Sequence, residues 1–216
     1  MSGVCIDYNY YKIQDLPIIV FNNFYDQKSC DKIWQELCFL NNEDDKLVSA
    51  EKTNSAWDVD KNNKKVFLKQ NKGIFLDQLY GQNRNFSNIL RANRKLFSTD
   101  IFNFLVDKHI FFRYLREVNY DITLVQYYEK SDYYNNHMDN SVLTFISWFY
   151  KKPKSFTGGN LIVENELLIE CNYNQAVVFP SILMHSVENT NVTENLLGKN
   201  YGRYSITTLS GITNRN

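Results

Sequence analysis

Arg203-Tyr204-Ser205-Ile206-Thr207 alternates polar and apolar side chains with a period of two, which turns successive side chains to opposite faces of an extended strand. Runs of the same kind, alternating or wholly apolar and separated by turn residues, recur from Asp121 onward, at 122–128, 142–150, 160–163, 166–170, 176–179 and 185–188 before the final run at 203–209. Glu164-Asn165 predicts a tight hairpin, and Gly158-Gly159 marks a place where a side chain would clash or φ is positive. Seven or eight such strands in series predict an all-β core with flanking helices (α+β). The architecture is a double-stranded β-helix, the two-sheet jelly roll also used by cupins, with N-terminal helices packed on one sheet.

The first half of the chain reads differently. Residues 1–15 are polar and aromatic without a clear period and are expected to form an arm or a first edge strand. Leu16-Pro17-Ile18-Ile19-Val20-Phe21 predicts a buried strand. After it Asp26 or Ser29 can cap a helix whose apolar stripe is Cys30, Ile33, Trp34, Leu37 and Cys38, ending at 41–45. From Lys46 to Lys72 the pattern weakens into a polar loop with one tryptophan, Trp57, which reads as a surface excursion or as a lid. Helices are expected at 85–97 and, capped by Ser98-Thr99-Asp100, at 99–114, with His109 a structural residue inside the second. The whole reads as a single domain, 1–216, in which a strand and helical support region, 1–119, precedes a jelly-roll core, 120–216, that carries a metal site.

Composition narrows the function classes. Formal net charge is zero across 216 residues and the basic residues are scattered among acids, so no broad basic face for nucleic acid is predicted. Cys5, Cys30, Cys38 and Cys171 form no CxxC pair and suggest neither a structural zinc site nor a disulfide framework. The N-terminus lacks a basic start followed by a long apolar run, and no segment has the length of a membrane span, which predicts a soluble, cytoplasmic protein with no membrane partner. Oligomeric state leaves no trace in the sequence.

The chemistry sits around His137-Met138-Asp139. If this segment is extended, its two flanking side chains point the same way and make half of a metal clamp. His185 follows the apolar run Ala176-Val177-Val178-Phe179 and supplies a third ligand. Two histidines and one carboxylate form a facial triad, which occupies one face of an octahedral metal and leaves the other open, as in non-haem Fe(II) oxygenases.

Those residues, with Ile18-Ile19-Val20-Phe21-Asn22-Asn23-Phe24 leading into Cys30-Asp31-Lys32-Ile33, Tyr128, Tyr134, Phe156-x-Gly158-Gly159-x-Leu161, Val178-Phe179-Pro180-Ser181, His185-Ser186-Val187 and Arg203-x-Ser205, give the chain its family likeness. It resembles the Fe(II)- and 2-oxoglutarate-dependent dioxygenases, and within them the prolyl 4-hydroxylase-like branch, over most of its length. The resemblance implies Fe(II) held by His137, Asp139 and His185, 2-oxoglutarate and O2 as cosubstrates, and ascorbate as a candidate accessory. Arg203 would clamp the far carboxylate of 2-oxoglutarate as a forked donor, Ser205 on the same strand face would be a second donor, and Tyr128 would hydrogen-bond the cosubstrate. Tyr134 matches the tyrosine that lines the substrate pocket, and Tyr127, Tyr133 and Trp57 are further substrate candidates. The segment 188–202 is longer than is common in this branch and brings in Lys199 as the rival to Arg203, but its flanks lack strand alternation.

The expected reaction is hydroxylation of an unactivated C–H bond coupled to decarboxylation of 2-oxoglutarate to succinate. The leading substrate is a prolyl or other amino-acid side chain of a peptide or protein. Two alternatives stand beside it: a small-molecule hydroxylase acting on an amino acid, nucleoside or sugar, and a non-catalytic jelly-roll module that binds metal or 2-oxoglutarate. Retention of Asp139 disfavours halogenation, because halogenases of this family lack that carboxylate.

Overall fold

The apolar and alternating runs of the second half pair into two antiparallel sheets that face one another. The computed structural model describes residues 6–42, 46–53 and 55–213. Among these, the larger sheet has eight strands in the order Tyr8–Ile13, Leu16–Phe21, Ala176–Pro180, Leu143–Phe149, Arg203–Gly211, Tyr120–Tyr128, Lys72–Phe75 and Val48–Ser49. The smaller runs Leu167–Ile169, Leu161–Val163, His185–Val192, Lys130–His137 and Lys69–Gln70, with Phe156–Gly158 paired to His185–Val192. This is the predicted double-stranded β-helix.

Strand parity assigns the two cores. On Leu143–Phe149, Ile146 and Trp148 turn inward and meet Leu161, Val163 and Phe179 between the sheets, while Phe145 and Phe149 turn outward. The outward residues pack under the helices with Cys30, Ile33, Leu37, Ile89, Leu96 and Leu105. A strand buried on both faces reads as a continuous apolar run, which is why these segments were legible.

The first helix, Gln27–Asn42, is capped as expected, with the Asp26 carboxylate accepting from the Ser29 N–H at 2.8 Å. Its end was predicted at 41–45; Asn41 and Asn42 close the helix, and residues 43–45 lie outside the described residues. Glu36 on the same helix is buried and accepts from Ser87 Oγ and the Ile89 N–H, both at 2.8 Å. Those bonds help to break the helix expected at 85–97 into the turn Arg84–Phe86, the helix Asn88–Asn93 and the turn Arg94–Phe97, because Ser87 starts a new helix by accepting from the Leu90 N–H. The next helix, Thr99–Lys108, stops short of the predicted 114. His109 is extended, φ −159°, and its Nδ1 accepts from the Phe111 N–H to cap the 3-10 turn Ile110–Arg116, so it is structural but not inside a helix.

Strands in 46–75, at Lys130–His137 and at Phe156–Gly158 differ from the sequence reading. The segment 46–72 contributes Val48–Ser49 to the edge of the larger sheet and Lys69–Gln70 to the edge of the smaller, and folds a separate hairpin of Trp57–Val59 and Lys65–Phe67. Strands of two or three residues are too short to show a period. Lys130–His137, absent from the predicted set, lacks aliphatic residues because its inward Tyr134 and His137 border the cavity rather than a core.

Candidate metal and cosubstrate site

His137 ends the Lys130–His137 strand, and His185 opens the strand that pairs with it, so that the two histidines stand opposite one another. The register shifts between His185 and Val187 and again toward Thr190, irregularities that re-aim side chains. Asp139 lies beyond the strand end. Its backbone N–H donates to the Ser181 carbonyl at 3.1 Å, and the exposed Met138 between the two ligands agrees with the alternation expected of an extended segment.

The ligand atoms of His137, Asp139 and His185 all lie within 4.8 Å of one another. His185 Nε2 is 3.3 Å from one Asp139 oxygen and His137 Nε2 is 3.6 Å from the other. Each Nδ1 sits 2.9 Å from a main-chain carbonyl, that of Asn135 for His137 and that of Leu183 for His185. A carbonyl acceptor there places the proton on Nδ1 and leaves each Nε2 lone pair aimed at the cluster. Thr144 Oγ1 donates to Asp139 Oδ2 at 2.6 Å and continues to Ser181 Oγ at 2.9 Å, fixing the carboxylate from behind.

Electrostatics agree with a cation site. Burial, reinforced by the neighbouring His185, pulls the His137 imidazole down to about 4, so it is neutral and able to ligate at neutral pH. Burial pushes the Asp139 carboxyl up, but its contacts with His185, His137 and Thr144 outweigh this and hold it below the usual carboxylate value. Two imidazoles and one carboxylate crowded this closely form the donor set of a divalent metal such as Fe(II), and the residues present fit that ion.

The triad opens onto a cavity of about 250 Å³ between the sheets, whose far wall belongs to the larger sheet. Arg203 is 0% exposed there, and its Nε and both terminal nitrogens have no hydrogen-bond partner among the described residues. Its guanidinium lies 4.7 Å from the Tyr128 ring centroid and 5.8 Å from that of Trp148. Ser205 shares its face two residues on, and Gln126, opposite Ser205 in register, also lacks a partner for Nε2. Gly159 makes room for the arginine: at φ +71° it has no side chain, and a Cβ there would lie 2.8 Å from Arg203 Cδ and from Thr190 Oγ1. A buried, unpaired guanidinium costs several kcal/mol, so the wall is built for an anion that completes it, and a carboxylate matches its fork.

Of the substrate candidates, Tyr134 lines the cavity and stacks on His137, ring centroids 3.6 Å apart and planes 7° from parallel. Tyr127 does not reach the cavity. Next to Tyr128 on one strand, it faces the opposite way, packs on Tyr204 at 4.7 Å and holds Glu129 and the Gly202 N–H through its hydroxyl. Trp57 is also off the cavity wall, 50% exposed on its hairpin under Lys65. Lys199 is exposed and donates to the Asn195 carbonyl, far from the role weighed against Arg203. The residues missed by sequence reasoning are Lys69 and Ser55, which line the cavity mouth from the supposed surface excursion, and Thr144 behind Asp139. Burial pulls the Lys69 ammonium down to about 8, against the opposing charge of Asp139. A lysine on a two-residue strand carries no pattern that announces burial.

Residues 122–209 match the family described as the 2OG-Fe(II) oxygenase superfamily. No curated protein matches the chain in sequence. Among solved structures, a Pseudomonas putida prolyl-4-hydroxylase is similar at 13% identity and a TM-score of 0.55, over 97% of this chain and 95% of that one. A 2OG-Fe(II) oxygenase family oxidoreductase from Burkholderia pseudomallei is similar at 12% identity and a TM-score of 0.53, over 91% of this chain and 86% of that one. Among the described residues no helix is long and apolar enough to cross a membrane. The matched segment contains the His-Asp-His cluster and Arg203, so residues 122–209 are similar in sequence to the 2OG-Fe(II) oxygenase superfamily, and the fold around them is like that of the prolyl-4-hydroxylase.

Proposed function

We propose that the enzyme hydroxylates an aliphatic C–H bond of an amino-acid-type substrate, with His137, Asp139 and His185 holding Fe(II) and Arg203 holding 2-oxoglutarate. The observation that carries this is the buried guanidinium of Arg203, with three nitrogens unpartnered, in the same cavity as the His-Asp-His cluster. Bound iron supplies the oxidising chemistry, driven by decarboxylation of 2-oxoglutarate to succinate.

The chain's own residues do the rest. Arg203 takes the far carboxylate through paired, charge-assisted hydrogen bonds, and Ser205 adds a donor from the same strand face. Tyr128 flanks the cosubstrate with its phenol protonated, because burial raises its pKa against the pull of Arg203. Carbonyl contacts at Nδ1 fix both imidazoles, and Thr144 fixes Asp139, so the ligand set is oriented before metal arrives. Tyr134, stacked on His137, lines the substrate side. A prolyl or other peptide substrate is supported by the likeness to the Pseudomonas putida prolyl-4-hydroxylase fold, and a free small molecule by the buried lysine at the cavity mouth. Purified protein given Fe(II), 2-oxoglutarate and O2 is expected to form succinate slowly without substrate and faster with it. A folded, iron-loaded protein that forms none would overturn the catalytic reading.

A further inference from the structure

Lys69 is 3% exposed, yet it lines the cavity beside the triad. It belongs to the Lys69–Gln70 strand, stands opposite Tyr134 in register, and its Nζ lies 5.5 Å from the Tyr134 ring centroid. An ammonium has three N–H donors. One goes to Ser55 Oγ at 3.0 Å, and no carboxylate forms an ion pair with Lys69 among the described residues.

The acceptor at Ser55 is held in place from behind. Thr53 Oγ1 donates to the Ala50 carbonyl at 2.8 Å, so the 3.2 Å contact between Thr53 and Ser55 is satisfied by the Ser55 hydroxyl donating to Thr53. Ser55 then offers only its lone pairs to Lys69. This one-way relay points the lysine, and among the described residues its other two donors have no acceptor. The anion that influences Lys69 is Asp139, whose charge a bound divalent metal takes up. Burial alone pulls the Lys69 ammonium down to about 8, and a carboxylate brought beside it would hold it in the charged form.

A five-carbon diacid cosubstrate has two carboxylates. On the reading above, one belongs to the metal and the other to Arg203 on the opposite sheet, which leaves none for Lys69. One charge with two donors fits a monoanion, and entry to so enclosed a position fits a small molecule. We propose that Lys69 is the recognition group for a carboxylate on the primary substrate, so that the oxygenase acts on a small carboxylic acid. This rests on the hydroxylase reading and narrows its substrate class.

The test uses two probes of nearly equal shape, propionate and propionamide, on the full chain loaded with Mn(II) and saturating 2-oxoglutarate. Proton relaxation of each probe by the paramagnetic ion reports binding near the metal, and 2-oxoglutarate binding is measured calorimetrically on the same samples. Wild type is expected to bind propionate and to discriminate against propionamide by about tenfold or more, the loss of a charge-assisted contact. Lys69→Met should remove that preference and Lys69→Arg should retain it. The wild-type comparison stands even if Lys69→Met fails to fold. Equal relaxation of the two probes in wild type, an undiminished preference in folded Lys69→Met, or propionate that competes with 2-oxoglutarate would overturn the lysine assignment alone. Absence of 2-oxoglutarate binding would overturn the hydroxylase reading and this inference with it.

Discussion

The two walls of the cavity are built on opposite terms. The triad itself is satisfied within the protein: both histidine Nδ1 atoms have carbonyl partners and Asp139 is held by Thr144. On the larger sheet, Arg203 and Gln126 face the same cavity with unpartnered nitrogens. The triad has arranged its lone pairs for a cation. The second wall leaves its donors unpartnered among the described residues, as the proposed anion site requires. Their construction differs in the same sense, because the arginine wall is a regular antiparallel pair from Arg203 opposite Tyr128 to Gly211 opposite Tyr120, whereas the histidine wall pairs through register shifts. A regular strand pair buried on both faces holds one charged side chain deep in the fold, and an irregular pair at its edge converges three.

The sharpest way to break the contrast is to remove a ligand. His185→Ala should abolish iron-dependent succinate formation while leaving the fold, since the histidine packs at one end of the apolar interior on Phe179 and its loss opens only a small space. Normal turnover in that variant would contradict the triad. Arg203→Ala comes next: two charge-assisted hydrogen bonds lost should weaken 2-oxoglutarate binding roughly 100-fold or more while metal binding persists. An unchanged requirement for 2-oxoglutarate would move the anion site elsewhere.

Acid should act on the histidine wall first. In metal-free protein the folded His137 pKa of about 4 lies below its ordinary 6.5, so between those values the unfolded chain binds more protons and stability falls as pH falls. The His137 contribution is on the order of 3 kcal/mol. It is present above pH 6.5 and lost toward pH 4, a loss that His137→Gln should remove from the thermal unfolding profile. An identical pH profile in the variant would show that the imidazole is not buried as described. A smaller effect is expected from Gly159→Ala, at a positive φ and against Arg203, which should cost about 1–3 kcal/mol and raise the 2-oxoglutarate requirement together. A stability loss with no change in cosubstrate binding would separate the glycine from the arginine. Smallest is Tyr127→Phe, expected to leave cosubstrate binding unchanged because its hydroxyl serves Glu129 and Gly202 on the far side of the sheet.

These contrasts track what was legible in the sequence. Residues with a pattern around them were found: Arg203 and Ser205 by period-two alternation, the strands at 143–149 and 176–180 as apolar runs, and the Asp26 and Ser98 caps by residue type. His137 and His185 were singled out by spacing and resemblance, although the strand that carries His137 was not, since a strand without aliphatic residues that faces a cavity lacks apolar alternation. Tyr127 was misplaced because two adjacent tyrosines on one strand carry no mark of which faces inward until the register with Tyr204 and Arg203 is known. Trp57 and Lys69 exchanged the roles suggested by their chemistry, the tryptophan exposed and the lysine buried, because short edge strands set burial by what they pair with. The break of the helix at Ser87 depended on Glu36, a contact across 51 residues that no local propensity contains.

The central claim, one cavity with a cation wall and an anion wall, is tested most directly by adding 2-oxoglutarate to anaerobic protein loaded with Fe(II) and recording the visible metal-to-ligand charge-transfer absorption. The account predicts a band in wild type, no band in His137→Ala, and in Arg203→Ala a band that forms only at much higher 2-oxoglutarate. A wild-type protein that binds iron but shows no band at any 2-oxoglutarate concentration, or an Arg203→Ala titration that overlays wild type, would contradict it.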